Sequence, residues 1–448
     1  SGSAGVRARL TAGLSAAYML DRRLDEAVEH GQRAIALAAP AEEEVTELNA
    51  LATLASVFAF SGRMDEGWSM LEESIARGRR ARLEAEAARA YRMIGSSASV
   101  LVEYERGERW LREGIEYAER TEQWNHRHYM ASHLGHVLWA TGAWEGAEEV
   151  TQHALADGRG GITTRITSLH VLGYLALGRG DWAVAEATLG EARQVGEEMR
   201  ELQRFSPALW GLAEAAVLQG RHRDAIELTH AGHHASAAVR DAAYLFPFLV
   251  TGTRARLAVG DLVEAERWVD AVTAGLLYRS IPGTLPAIDH AHGLLALARG
   301  STGRAREALI SARAGWLERR RAWEGCRATL DLAQCSMRAN RAGEAAPLIV
   351  EATTAAKRMG AKPLLRLAVE LEGTRRAGGV EQRPWAPLTA REFEVASLIA
   401  EGRTNREIAA RLTITPKTVA SHVEHILARL GAERRTEIAS WVASVRGG

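Results

Sequence analysis

A forty-residue rhythm governs most of this chain. Small residues fall at Ala27, Gly67, Gly107, Ala147, Ala185, Ala225, Ala265, Ala308 and Ala345, at intervals of 40, 40, 40, 38, 40, 40, 43 and 37. A second small residue often follows seven later, at Ala34, Ser74, Gly114, Ala154, Ala192 and Gly232. Seven residues is close to two helical turns, so both positions lie on one face, where another helix must approach closely. Glycine or arginine clusters end one helix, and acidic residues just after them suit the positive end of the next. Upstream lie apolar, Ala- and Leu-rich stretches such as 46–60, 126–140, 162–177, 207–218 and 244–259. Each unit therefore reads as an antiparallel helix pair. One pair cannot bury its own apolar face, so neighbours must stack into a superhelix with an extended concave surface. Strand signals are nearly absent. The expectation is an all-α chain with an α-solenoid of about nine helix pairs over residues 1–372.

Composition narrows the function classes. Of 448 residues, 47% are apolar, and 56 Lys and Arg balance 56 Asp and Glu. Such a chain can bury large cores and is not disordered, and its zero net charge supplies no global field toward nucleic acid or lipid. Any such binding must come from a local patch. No run of about 18 uncharged apolar residues and no basic region followed by an apolar stretch occurs, so we expect no membrane and a cytoplasmic location. Cys326 and Cys335 offer neither a disulfide framework nor a zinc cluster, and suit a reducing compartment. Lys357, Lys362 and Lys417 are the only lysines, a bias toward arginine that fits a GC-rich coding genome. The opening Ser1 to Gly5 resembles a cloning remnant and runs at once into a helical pattern at 6–20, so a fragment of a longer protein is expected.

After Leu371 the text changes. Residues 373–387 hold Gly373, Gly378, Gly379, Pro384 and Pro387 without helical periodicity and read as a linker. In residues 388–448, Thr389 with Glu392 and Thr404 with Glu407 form two capping boxes, each opening a helix. Gly402 closes the first of these. Thr415 can cap a third helix with Pro416 at its first position, where a missing N–H is no loss. That helix places Val419, Val423, Ile426 and Leu430 on one side. Two short helices joined by a three-residue turn, 413–415, form a helix-turn-helix. With the apolar side inward, Lys417, Thr418, Ser421, His422 and His425 lie on or beside the outer face, near the end that reaches base edges in a major groove. Helix N-termini at Thr404 and Thr415 offer N–H groups to phosphates. Residues 388–448 hold nine Lys and Arg against seven Asp and Glu, a surplus of two.

The text here resembles the LuxR-type helix-turn-helix of bacterial transcription regulators. The matches are Leu388, Thr389, Arg391 and Glu392, then Glu401 and Gly402, then Asn405, Glu407, Ile408, Ala409 and Leu412, and finally Thr418, Val419, His422, Ile426, Leu430 and Gly431. The resemblance implies DNA binding through Thr404, Asn405, Lys417, Thr418, Ser421, His422 and His425. Two positions that are often basic in the family hold Ala420 and Glu424, which predicts weaker binding by a single copy. A fourth amphipathic helix, 433–445, carries Ile438, Trp441 and Val442. In the family the corresponding helix pairs two copies on a two-fold operator, whereas Trp441 could equally pack on its own domain.

The forty-residue units resemble tetratricopeptide repeats, with a longer period. Repeats ahead of such a domain look like the C-terminal part of large ATP-dependent LuxR regulators similar to the maltose regulator. In those a nucleotide-binding module precedes the repeats. This chain has no phosphate-loop motif, so a hydrolytic module is expected to be missing from the N-terminal side. No nucleophile elbow, paired-carboxylate signature or glycine-rich phosphate cradle is present, so no enzyme and no cofactor are expected.

In 126–140 the residues His128, Tyr129, His133 and His136 are the candidate ligand-binding patch. Tyr129, His133 and His136 share a helix face, although packing explains such residues more often and the spacing suits no metal. His230, His233, His234, His290 and His292 read as solvated. The tryptophans at 68, 110, 144, 182, 268 and 316 read as repeat core. These readings make the chain a transcription regulator binding double-stranded DNA, as a possible homodimer, with an effector in the solenoid groove. The alternative is a protein-binding scaffold whose terminal domain is an assembly module.

Overall fold

A computed structural model of the chain describes residues 4–156, 158–379, 388–432 and 434–447. It divides into two compact units, Ser1–Leu371 and Glu372–Gly448.

The first unit is a superhelix of antiparallel helix pairs, nine among the described residues. They begin with Ala4–Leu20 and Leu24–Ala38 and end with Ala322–Arg338 and Ala342–Met359, against which Lys362–Gly379 follows. The rhythm is sharper in the backbone than in the text. Between the two helices of each pair one residue takes a left-handed conformation: Arg22, Gly62, Val102, Gly142, Gly180, Gly220, Gly260, Gly300 and Asn340. Their spacing is 40 throughout except for 38 between Gly142 and Gly180. The two missing residues fall in the fourth pair, whose outer helix Trp144–Ala156 has 13 residues where all the others but the first have 17 or 18. One register position is corrected. Ala305 is fully buried and restores intervals of 40 on both sides, while Ala308 sits three residues later on a half-exposed flank. A second alanine one helical turn later hid the register.

Small residues recur because the helices approach closely there. A Cβ on Gly67 would lie 2.5 Å from the Ala55 carbonyl, and one on Gly114 would lie 2.6 Å from Met130 Sδ. The two helices of a pair differ in burial. In Glu44–Phe60 every residue from Ala50 to Phe60 is buried, whereas Met64–Arg80 buries only a stripe including Gly67, Trp68, Leu71, Ser74, Ile75 and Gly78. A helix buried all round forms an inner layer and an amphipathic one an outer layer.

Successive turns of this superhelix touch. Arg22 pairs with Asp241 across 219 residues, Arg319 with Glu103 across 216, and Arg321 with the Tyr104 hydroxyl across 217. Gly62, at φ +90°, leaves room for the Arg279 carbonyl where a Cβ would come within 2.5 Å. The interior is therefore enclosed rather than an open trough.

In the second unit, Ala390–Ala400, Asn405–Leu412, Pro416–Leu430 and Arg435–Gly447 pack around Val395, Ile399, Ile408, Val419, Ile426 and Ile438. The expected linker is partly helical. Lys362–Gly379 runs through its first seven residues, with Glu372 bonded to Arg375 and Arg376 one turn on, the spacing at which side chains meet along a helix. The rest of that stretch, 380–387, lies outside the described residues. Among the described residues no strand occurs, and no helix is long and apolar enough to cross a membrane.

Candidate functional site

The reading surface is built from its caps. Thr389 Oγ1 accepts the Glu392 N–H at 3.2 Å while Glu392 Oε2 accepts the Thr389 N–H at 2.8 Å, and Arg429 also donates to that carboxylate at 2.8 Å. Burial would raise the Glu392 carboxyl, but the Thr389 donors and the nearby cations outweigh it and hold the group below its ordinary value. This nearly buried carboxylate ties the first helix to the third. The second capping box repeats the pattern, Thr404 with Glu407. Thr413, left-handed at φ +55°, makes the sharp turn, and Thr415 caps the third helix by accepting the Thr418 N–H at 3.1 Å. Val419 and Ile426 are fully buried, which fixes the rotation of that helix.

That rotation leaves Lys417, Thr418, Ser421 and His425 exposed and His422 half-buried beside Glu392. Thr404 is exposed at the second helix start. Asn405 is half-buried, and its side-chain carbonyl accepts from Arg435 at 2.7 Å, leaving its amide N–H groups as donors. First-turn N–H groups at 405–406 and 417 have no intrahelical acceptor and can face phosphate oxygens. The surface thus combines a cation, short hydroxyls and imidazoles on one stiff helix.

On the last helix, Ile438 and Val442 are buried in their own domain's core, and Trp441 is half-buried with its ring edge-on to Phe393 at 6.3 Å. Only the flank of Trp441 and its exposed neighbours remain for contact with another molecule.

A second cluster lies inside the repeats. Tyr129, His133 and His136 line a cavity of about 730 Å³, its open mouth included. His128, by contrast, is buried behind it against Trp124, outside the lining. The cavity draws its other walls from four more segments: His170 and Tyr174 on one helix, Arg204 and Trp210 on another, Tyr244 and Phe246 at the start of a third, and Arg321, just before Ala322–Arg338, from the next superhelical turn. Trp139, Tyr174 and Trp210 form an aromatic wall, with centroids 4.6 Å and 5.0 Å apart along it. Burial holds His136 and His170 near pH 3 and His133 well below the imidazole range, so all three are neutral. Burial would raise the Tyr129 hydroxyl, but the guanidiniums of Arg204 and Arg92 outweigh it. The lining contains two arginines and no carboxylate; Arg204 leans on Glu201 at 3.0 Å and Arg321 on Glu324 at 2.7 Å from behind.

Beyond this lining, His290 corrects the solvated reading. It is fully buried, with Nε2 2.8 Å from Asp331 Oδ2, which Arg254 also pairs. His233 is half-buried over Trp268. Among the described residues no group of three His, Cys, Asp or Glu is placed to hold a metal ion.

Comparison with known proteins bears on both units. Residues 386–442 match the family described as bacterial regulatory proteins, luxR family. The C-terminal domain is a luxR-family domain. Curated relatives agree: the transcriptional regulatory protein LiaR of Bacillus subtilis is 40% identical over 91 residues, 20% of this chain and 43% of LiaR. The DNA-binding transcriptional activator DevR/DosR of Mycobacterium tuberculosis is 37% identical over 100 residues, 22% of this chain and 46% of that protein. The chain spans less than half the length of these relatives. A Rap protein, solved in complex with competence and sporulation factor, superimposes with a TM-score of 0.58 at 11% identity, over 79% of this chain and 99% of that one. That likeness establishes a shared helical-repeat fold.

In the luxR-type domain Thr404, Lys417, Thr418, Ser421 and His425 are exposed, while His422 and Asn405 are half-buried, Asn405 being partly engaged by Arg435. In the repeats, three of the four candidates meet in one cavity. His170, Arg204, Tyr244 and Arg321 were missed because helices and connections far apart in the chain deliver them; the recurrence of aromatic residues along the inner layer was the available signal.

Proposed function

We propose that this protein is a transcription regulator. Its luxR-type domain docks the helix Pro416–Leu430 into the major groove of duplex DNA, and its repeats hold an effector in their enclosed interior. The observation that carries this reading is the capped helix whose core residues Val419 and Ile426 force Lys417, Thr418, Ser421 and His425 outward together. Lys417 and the free first-turn N–H groups suit phosphates, while Ser421 and the imidazoles can reach base edges. Asn405 and Thr404 suit the backbone beside the groove. The modest local charge surplus favours binding by two copies on paired half-sites over strong binding by one. Support for an effector role comes from the cavity and from the likeness in fold to a Rap protein solved in complex with competence and sporulation factor. An effector shifts DNA binding only if it favours one arrangement of the chain over another.

Titration of labelled promoter duplex at several salt concentrations tests the first half. Sequence-selective binding that weakens as salt rises supports it, and indifference to DNA sequence and salt overturns it.

A further inference from the structure

Five side chains lining the cavity carry a buried polar atom without a hydrogen-bond partner: Trp139 Nε1, Arg321 Nε, His133 Nε2, His136 Nδ1 and Gln203 Oε1, the last an acceptor that calls for a donor. Native proteins leave few such atoms, and here five belong to residues lining one cavity. Their chemistry differs. The indole and guanidinium nitrogens are donors only and call for an oxygen acceptor. The role of His133 follows from its neighbours. Ser99 Oγ donates to the Ser96 carbonyl at 3.0 Å and sits 2.7 Å from His133 Nδ1. Ser99 must then accept the Nδ1 proton, which leaves Nε2 of the neutral ring as an acceptor asking for a donor.

Charge and shape narrow the ligand further. Arg92, Arg204 and Arg321 surround the site against Glu201 and Glu324, while Asp241 beside Tyr244 is paired with Arg22, so the surplus is one cation and its field favours an anion. Trp139, Tyr174 and Trp210, tilted or edge-on to one another, offer both ring faces and ring edges against which a planar ring can pack. The cavity measures about 730 Å³, its open mouth included. That is the size of a small-molecule site, enough for one ring with its substituents and too little for a folded partner.

Resting on the reading of the repeats as effector-binding, we infer that the cavity takes a single-ring aromatic acid bearing a hydroxyl group. Its carboxylate oxygens serve Trp139 and Arg321, its hydroxyl serves His133, and its ring lies against the aromatic wall.

The test uses the full chain with 4-hydroxybenzoate as probe, followed by calorimetry and tryptophan fluorescence. Saturable binding about tenfold tighter than that of the uncharged 4-hydroxybenzamide is expected, because only the acid answers the guanidiniums. Trp139→Phe, which keeps the ring and removes the donor, is expected to weaken the acid by about five- to tenfold with helicity intact. Equal binding of acid and amide, or no saturable binding of either, overturns the inference, and the ligand pair decides it even if the variant misfolds. A chain that retards promoter DNA yet ignores every aromatic acid, or that accepts only peptides, sinks this inference and leaves the regulator reading standing. Acid-selective binding supports it whether or not DNA binding responds.

Discussion

Arg22 and Asp241, 219 residues apart, form an ion pair in which the two side chains are only 6% and 2% exposed. Asp241 also accepts the Tyr244 N–H at 2.8 Å, and the Arg22 guanidinium lies 4.1 Å from the centre of the Phe60 ring. One pair thus holds the first and sixth helix pairs together and positions the strand of chain that carries Tyr244 to the cavity. Removing one partner strands the other charge in the interior, so Asp241→Ala should cost about 3–5 kcal/mol. The double variant Arg22→Met with Asp241→Leu should recover most of that loss. Urea denaturation followed by circular dichroism measures both, and a single variant as stable as the double would contradict the assignment.

On the reading helix, Lys417 and Ser421 should separate by mechanism. Lys417→Ala should weaken binding to all duplexes alike and reduce the slope of log affinity against log salt by about one, as expected for one phosphate contact. Ser421→Ala should instead relax preference at one base position and leave the salt slope unchanged. Fluorescence anisotropy at four salt concentrations reads both effects, and identical behaviour of the two variants would be the adverse result.

Acid should loosen the repeats before it protonates the bulk of the carboxylates. Burial holds His136 and His170 near 3, far below the ordinary imidazole value. Because the folded values are depressed, the unfolded chain binds more protons between about pH 6.5 and 3, so stability is full above that window and falls with pH inside it. Each histidine contributes a slope of up to about 1.4 kcal/mol per pH unit. His170→Gln, which can still donate to the Arg204 carbonyl that His170 contacts at 2.9 Å, should flatten the dependence of the urea midpoint between pH 7 and 5. An unchanged slope would count against a neutral buried ring.

Thr404→Ala removes the oxygen that accepts the Glu407 N–H. The loss should be about 1 kcal/mol of the terminal domain's stability, visible as an earlier melt of that unit with the repeats unaffected. A drop in DNA affinity larger than this destabilisation explains would mark Thr404 as a direct contact.

Legibility in the sequence followed the range of the interaction. The reading domain depends on neighbours: a threonine and a glutamate three apart make each box, and apolar spacing of four and three sets the rotation of the third helix, so its layout could be written from the text. The repeat was equally plain, although an alanine-rich run misplaced one unit by three residues, because small size alone cannot say which alanine meets the neighbouring helix. The helical turn past Gly373 was hidden by its glycines; the bonds from Glu372 to Arg375 and Arg376 hold it. Long-range features were out of reach. Nothing near Arg321 announces that it closes a cavity against His136, and nothing near His290 announces Asp331, forty-one residues on.

The clasps between Arg22 and Asp241 and between Arg319 and Glu103 also change how this molecule comes apart. A row of units that touch only their neighbours frays from its ends, one unit at a time. A spring whose coils are riveted together cannot lose its tip quietly. Trimming the first helix pair should therefore weaken the middle of the array along with its end, and melting should be a single sharp event shared by units more than two hundred residues apart.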